Sequence, residues 1–395
     1  MKRLISLLIL LALLGIACAS FSLPLAPTAT EAPTSSSTSS PQPSAIPTIT
    51  QTPTLSQTPT LAPTAPSRVT PETPSPTSVP PDYNQLTGLT VADPVLLSRR
   101  PLAIKVSNLP RGIRPQWGLS LADIIFEYYT EEGTTRFLAL FYGNDASIVG
   151  PIRSARFLDL YIVRGYQAVF AYGFAYKAER ARLEGSPIAN RLVIEEPGTP
   201  LYRYHGGDAL VVSTAELSAY ITKKGVGNGR QDLHGMTFGP APSGGQTVSR
   251  IYVRYSSAIY NRWDYDPASG RYLRYADTVD DYTGGSAEQY KPSTDRLTKQ
   301  PIACDNLVVL YVEHKPFSPG IYDILITGQG KGYAFRDGQA YPVTWIRGES
   351  NVVSLTNPDG TQYAFKPGTT WFEVVGLKSS LTQKVQVWRF THHMP

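Results

Sequence analysis

The chain has 395 residues, with 36 Lys and Arg against 31 Asp and Glu, and a formal net charge of +5 at pH 7. Removal of Lys2 and Arg3 with the leader described below would leave +3, and no basic run interleaves with aromatics, so the composition argues against a nucleic-acid partner. At about 150 residues per domain the length admits two or three domains. Its five histidines, at 205, 234, 314, 392 and 393, have no ligand spacing joined to cysteine or carboxylate, so no metal site and no cofactor is expected.

Lys2 and Arg3 precede an apolar run from Leu4 to Leu14, broken only by Ser6, which ends in Gly15-Ile16-Ala17-Cys18. A basic start, a short apolar core and small residues before a cysteine form a secretion signal over residues 1–18. The core is short of the ~20 residues that span a bilayer. Cys18 stands where a bacterial lipobox places the thiol that receives lipid, although Gly15 occupies the usual Leu position. Ala17-Cys18-Ala19 also satisfies the small-x-small rule, so ordinary secretion is the alternative. With Cys18 lipidated, Cys304 is the only other thiol and no intramolecular disulfide can form.

From 19 to 82 the chain is Ser, Thr, Pro, Ala and Gln with almost no charge, as in Pro47-Thr-Ile-Thr-Gln-Thr-Pro-Thr54. Such a segment has too few large apolar side chains to offset the entropy of ordering, and reads as a disordered tether. About 60 residues in polyproline II, at ~3.1 Å each, reach somewhere under 200 Å.

The folded part is expected to begin near residue 83. Pro101–Ser107 reads as a buried strand. Asp123–Thr130 and Thr135–Tyr142, aromatic and β-branched, flank Glu131-Glu-Gly-Thr134 and predict a hairpin. Ser154 is placed to cap a helix over 155–163, and Lys177–Leu183 reads as helical. Ser213-Thr-Ala-Glu216 is a capping box for a helix that Gly225 ends. Strands dominate from 249 onward, with turns at Pro267–Gly270, Asp337-Gly338 and Asp359-Gly360 and a final strand at 370–375. The predicted fold class is α+β: a mixed α/β N-terminal domain over 83–245, then a mostly antiparallel β-rich domain over 246–395.

The densest polar constellation lies in the first hairpin and the helix after it. Strand alternation puts Asp123, Glu127 and Glu131 on one face. A two-residue turn brings Arg136 to that face; a three-residue turn reverses it. Arg153 and Arg156 bracket the next helix start, where free N–H groups also favour anions. Such carboxylates and guanidiniums either pair and lock the hairpin to the helix, or line a cleft that grips an acidic ligand. A carboxylate pair for glycan cleavage needs ~5–10 Å, whereas residues four apart on a strand lie ~13 Å apart, so Glu127 with Asp123 or Glu131 makes a marginal catalytic pair. Gly328-Gln-Gly-Lys-Gly332 lacks the ending of a phosphate loop and reads as a hairpin turn. Trp117, Trp263, Trp345 and Trp371 read as core rather than a sugar-stacking surface.

Gly118–Glu127, Glu132–Phe137 and Gly150-Pro-Ile-Arg-Ser-Ala-Arg156 resemble the YerB-like lipoproteins, a bacterial family of domain of unknown function DUF3048. Gly330-Lys-Gly332, Asp337-Gly338, Thr344-Trp345 and Pro367-Gly-Thr-Thr-Trp371 are similar to that family's C-terminal part. The resemblance covers nearly everything after the tether and implies a two-part extracytoplasmic domain on a lipid anchor, with no settled activity. Where the family reads His-Asn-Leu, this chain has Asp208-Ala209-Leu210. The expected role is a non-catalytic binding module with Glu127, Arg136, Arg153 and Arg156 as ligand-binding residues, anchored to the outer face of the cell membrane. Its expected partners are the membrane and peptidoglycan, an anionic wall polymer or an envelope protein. A carboxylate-dependent wall enzyme and a scaffold in envelope assembly are the alternatives.

Overall fold

A computed structural model describes residues 79–395. The leader, Cys18 and most of the expected tether lie outside the described residues. Arg230 fixes the first of them, donating to the carbonyls of Pro81 at 2.6 Å and Pro80 at 3.0 Å.

The longer elements come in a simple order. β1 (Leu102–Ser107) precedes the hairpin β2 (Ile124–Tyr129) and β3 (Thr135–Phe141). Then come α1 (Phe157–Gly165), β4 (Val169–Ala171), α2 (Lys177–Glu184), β5 (Leu192–Val193) and α3 (Thr214–Lys223). The rest is strand: β6 (Gln246–Arg254), β7 (Tyr260–Asp266), β8 (Arg271–Asp277), β9 (Asn306–Val312), β10 (Gly328–Arg336) and β11 (Gln339–Arg347). β12 (Ser354–Thr356), β13 (Thr370–Gly376), β14 (Ser380–Lys384) and β15 (Gln386–Thr391) complete it.

Ten of these strands form one long mixed sheet in the order β5-β4-β1-β3-β2-β13-β9-β10-β11-β12. β2 and β13 run parallel, pairing Glu127 with Glu373 across the middle of that sheet. A second sheet, β8-β7-β6-β15-β14, joins it at the start of β6, where Gln246 and Thr247 pair with β11. The described residues form one compact unit, mostly β with three α-helices.

Side-chain alternation divides the long sheet into two buried faces. Ala103, Phe126, Leu138, Phe372 and Val374 pack with Leu158, Ile162 and Val163 of α1 and Leu183 of α2. Ile104, Ile125, Phe137, Trp371 and Leu307 pack on the other side with Ile251, Trp263 and Phe390 of the second sheet and Leu217 of α3. The layers are helices, long sheet, then second sheet with α3. Both faces being covered explains why β1, β2, β9 and β13 read as near-continuous apolar runs.

Two local expectations change. Ser154 does not cap α1. The N-cap position is Arg156, whose backbone N–H donates to Asp159 Oδ2 at 2.7 Å. Ser213 does cap α3, accepting from Glu216 N at 3.4 Å. Gly328–Gly332 is strand, not turn, paired with β11; a Cβ at Gly330 would lie 2.7 Å from the Trp345 ring nitrogen and one at Gly332 2.8 Å from the Val309 carbonyl. The glycines let β10 lie flat between its neighbours. Trp117, Trp263, Trp345 and Trp371 are all buried.

Candidate functional site

The hairpin turn decides the site. Thr130 N donates to the Thr134 carbonyl at 2.9 Å and Thr134 N to that of Glu131 at 2.8 Å, closing a three-residue turn. Glu132 and Gly133 take left-handed conformations there, φ 50° and 74°. The register therefore sets Arg136 opposite Tyr128 and Phe137 opposite Glu127. Arg136 lies on the helix face and Glu127 on the face toward the second sheet, so the expected four-residue patch is split.

The three acids occupy three environments. Asp123 is buried just before β2, accepting from Tyr142 N at 2.6 Å, Gly143 N at 3.1 Å and Asn84 Nδ2 at 2.7 Å. It holds the end of the hairpin to the segment at Asn84. Glu127 is also fully buried. Its Oε1 accepts from Thr135 Oγ1 at 2.8 Å and Asn108 Nδ2 at 3.1 Å, and its Oε2 from Arg274 at 2.8 Å and Asn261 Nδ2 at 3.3 Å. Glu131 alone joins the arginines, receiving Arg136 at 2.5 Å and both Nε (2.7 Å) and a terminal nitrogen of Arg156. Despite partial burial, Arg156 and Arg136 hold Glu131 below the usual carboxylate range.

The second carboxylate beside Glu127 is Glu373, on the neighbouring strand β13. Glu373 Oε1 accepts from Trp263 Nε1 at 2.9 Å and Asn261 Nδ2 at 3.0 Å, and its Oε2 is 2.9 Å from the Tyr255 hydroxyl. Tyr255 also lies 3.0 Å from the Glu127 carbonyl. One O–H cannot donate to both. Donation by Tyr255 to the carbonyl, with a protonated Glu373 donating to Tyr255, satisfies the Tyr255 hydroxyl, Glu373 Oε2 and the Glu127 carbonyl. Burial and then the Glu127 charge push the Glu373 carboxyl up to about 8, consistent with that arrangement.

On the helix face Lys105 is fully buried in β1. Its Nζ bonds Asp159 Oδ1 at 3.0 Å and contacts the Tyr128 hydroxyl, which also donates to Asp159. Burial brings its ammonium down to about 7, against the pull of Asp159. Neither Lys105 nor Glu373 was singled out by spacing. The available signal was a lone charge inside an apolar strand, Ala-Ile-Lys-Val and Trp-Phe-Glu-Val, which on a doubly covered sheet must be paired or neutralised.

Arg153 differs from all of these. It is exposed, and its Nε donates to Ser107 Oγ at 3.2 Å. No carboxylate among the described residues pairs with it. Arg153 and Ser154 line two adjoining clefts. One, of about 440 Å³, includes Phe174, Glu195, Arg203 and Asp208. The other, of about 510 Å³, includes Arg111, Glu131, Arg136 and Asp280. Arg156 is buried and already committed to Glu131. Of the expected arginines, Arg136 and Arg153 border the second cleft together, and Arg153 alone reaches the first. Asp208-Ala209-Leu210, where the family pattern has its histidine, lines the first cleft. His205 stands exposed on the preceding turn with its ring against Tyr204, centroids 4.2 Å apart.

The N-terminal and C-terminal stretches share one long sheet, in which β2 pairs with β13. Residues 86–227 match the model described as protein of unknown function (DUF3048) N-terminal domain, and residues 251–372 match its C-terminal domain. The chain belongs to the DUF3048 family. It is 29% identical over 300 residues, 73% of this chain and 85% of the relative, to YerB of Bacillus subtilis (strain 168), a protein named as a candidate lipoprotein. The crystal structure of the YerB protein from Bacillus subtilis matches with a TM-score of 0.64 at 26% identity, covering 74% of this chain and 96% of that one.

Proposed function

We propose that the chain is a lipid-anchored extracytoplasmic binding protein of the bacterial cell envelope, whose clefts around Arg153 take an anionic group of a wall component. The anchor reading rests on the basic–apolar–Cys18 leader and on the similarity to a relative named as a candidate lipoprotein. The binding reading rests on one observation: Arg153 presents a guanidinium without a carboxylate partner at the junction of two open clefts, while Arg136 and Arg156 are held by Glu131. An unpaired guanidinium with donors to spare suits a carboxylate or phosphate.

The Asp123, Glu127 and Glu131 carboxylates do not converge, so the geometry favours binding over a two-carboxylate reaction at these positions. Co-sedimentation of the full chain with purified cell-wall sacculi, and titration with soluble polyphosphate, test the proposal. Arg153→Ala is expected to weaken polyphosphate binding about tenfold, and added salt to weaken the wild type. Unchanged binding by the variant at low salt would remove Arg153 from any binding role.

A further inference from the structure

The cleft of about 440 Å³ has a composition the other lacks. Phe174 in its wall is 56% exposed, although an aromatic ring gains most from burial. The Phe174 backbone is held in place. The Phe174 carbonyl accepts from Ala155 N at 2.7 Å, and the N–H of Gly173 beside it donates to the Arg153 carbonyl at 3.0 Å. Tyr176 packs edge-on to Phe174 with centroids 5.8 Å apart, and the Arg156 guanidinium lies 5.0 Å from the Tyr176 ring centre.

The polar groups of the same cleft are both donors and acceptors. Arg203 grips Glu195 through two bonds of 2.6 and 2.5 Å and donates to the Asp208 carbonyl at 2.8 Å. The Asp208 carboxylate accepts no hydrogen bond from the described residues, and the terminal nitrogens of Arg153 are equally unused. A small inorganic anion would gain nothing from Phe174 and would leave the Asp208 and Glu195 acceptors unused. A purely apolar ligand would leave the charged groups desolvated. A sugar ring fits both sets, because each hydroxyl both donates and accepts while one ring face is apolar. The volume lies within the roughly 300–1,000 Å³ of small-molecule clefts.

We infer that this cleft is a saccharide subsite for a pyranose that carries a carboxylate. The apolar ring face lies on Phe174, the hydroxyls bond Asp208 and Glu195, and the carboxylate meets Arg153. This rests on the reading of Arg153 as an anion-binding residue, and names what carries the anion.

The test uses the full chain in a zwitterionic detergent without sugar headgroups, titrated by saturation-transfer NMR with N-acetylmuramic acid, N-acetylglucosamine and polyphosphate. The wild type is expected to bind N-acetylmuramic acid about tenfold more tightly than N-acetylglucosamine, which has the same ring without the lactyl carboxylate. Phe174→Ala, a change at an exposed position, is expected to weaken both sugars about tenfold and leave polyphosphate unaffected. Arg153→Gln is expected to abolish the difference between the sugars. If the sugars do not bind, or Phe174→Ala binds them as the wild type does, while polyphosphate still binds through Arg153, the saccharide subsite is overturned and the anion reading survives. Failure of all three probes to bind overturns both.

Discussion

The surroundings of Glu373 favour its protonated form. Full burial penalises its charge, the Glu127 carboxylate beside it repels a second negative charge, and Tyr255 has an oxygen left to accept. The folded carboxyl titrates near 8 against an ordinary value of 4.5, so between these pH values the native protein holds a proton that the unfolded chain has lost. This contribution to stability is complete below about pH 4.5 and is lost as pH rises through 8. Glu373→Gln places an amide where the protonated oxygen sits and keeps each bond. It is expected to remove a fall of a few kcal/mol, on the order expected for a buried group, between pH 5 and 8. Urea denaturation of both proteins across that range checks it; parallel pH curves would refute the assignment. Lys105 acts in the opposite sense and higher up. Its folded ammonium, brought down to about 7, favours the native state as pH rises from 7 toward 10.5, in the wild type and in Glu373→Gln alike, so it drops out of their difference.

At the scale of elements, the hairpin turn matters more than the hairpin strands. Thr130 and Thr134 close a turn of three residues, and that odd number puts Glu131 with Arg136 and Arg156 while turning Glu127 to the opposite face. The clamp ties the loop to the start of α1, so Arg136 and Arg156 fasten the fold and leave Arg153 free. A second element depends on missing side chains. β10 has glycine at 328, 330 and 332, and at Gly332 even one methyl would approach the Val309 carbonyl of β9 to 2.8 Å. Gly332→Ala is expected to cost about 1–3 kcal/mol through that overlap, lowering Tm by several degrees in a thermal melt. Gly360→Ala is the control, since nothing lies within 4 Å of its Cβ position, although its φ of 85° adds strain of its own. An unchanged Tm for Gly332→Ala would mean the strands can separate freely.

At the scale of the whole molecule, the expected leader and the cleft make one proposal about place and task. Cells expressing the full chain are expected to incorporate labelled palmitate into it, and Cys18→Ala is expected to abolish the label and release the protein from the membrane fraction. A labelled Cys18→Ala protein would place the acylation elsewhere. Much of the described fold was legible beforehand. The strands at 102–107, 124–129, 135–141, 306–312 and 370–376, the Ser213-capped helix and the Asp337-Gly338 turn all follow from signals spanning a few residues. The site was less legible. Arg153 could be named from its place before a helix, but Glu127 was grouped with residues on the wrong face, and Lys105 and Glu373 were passed over inside their apolar strands.

Periodicity, caps and turn residues act over one or two turns of chain, so the sequence by itself determined many of the strands and helices, and which part of the chain resembles a known family. It also determined the charge balance and the cysteine count. The meeting of Glu127 with Glu373, 246 positions away by their numbers, and of both with Asn261 and Trp263, depends on strand order and register across two sheets. The company of Arg153 depends on a loop at 195–210 folding back beside residue 174. Those choices are made by the pairing and packing of whole sheets, and no short window of residues contains that information.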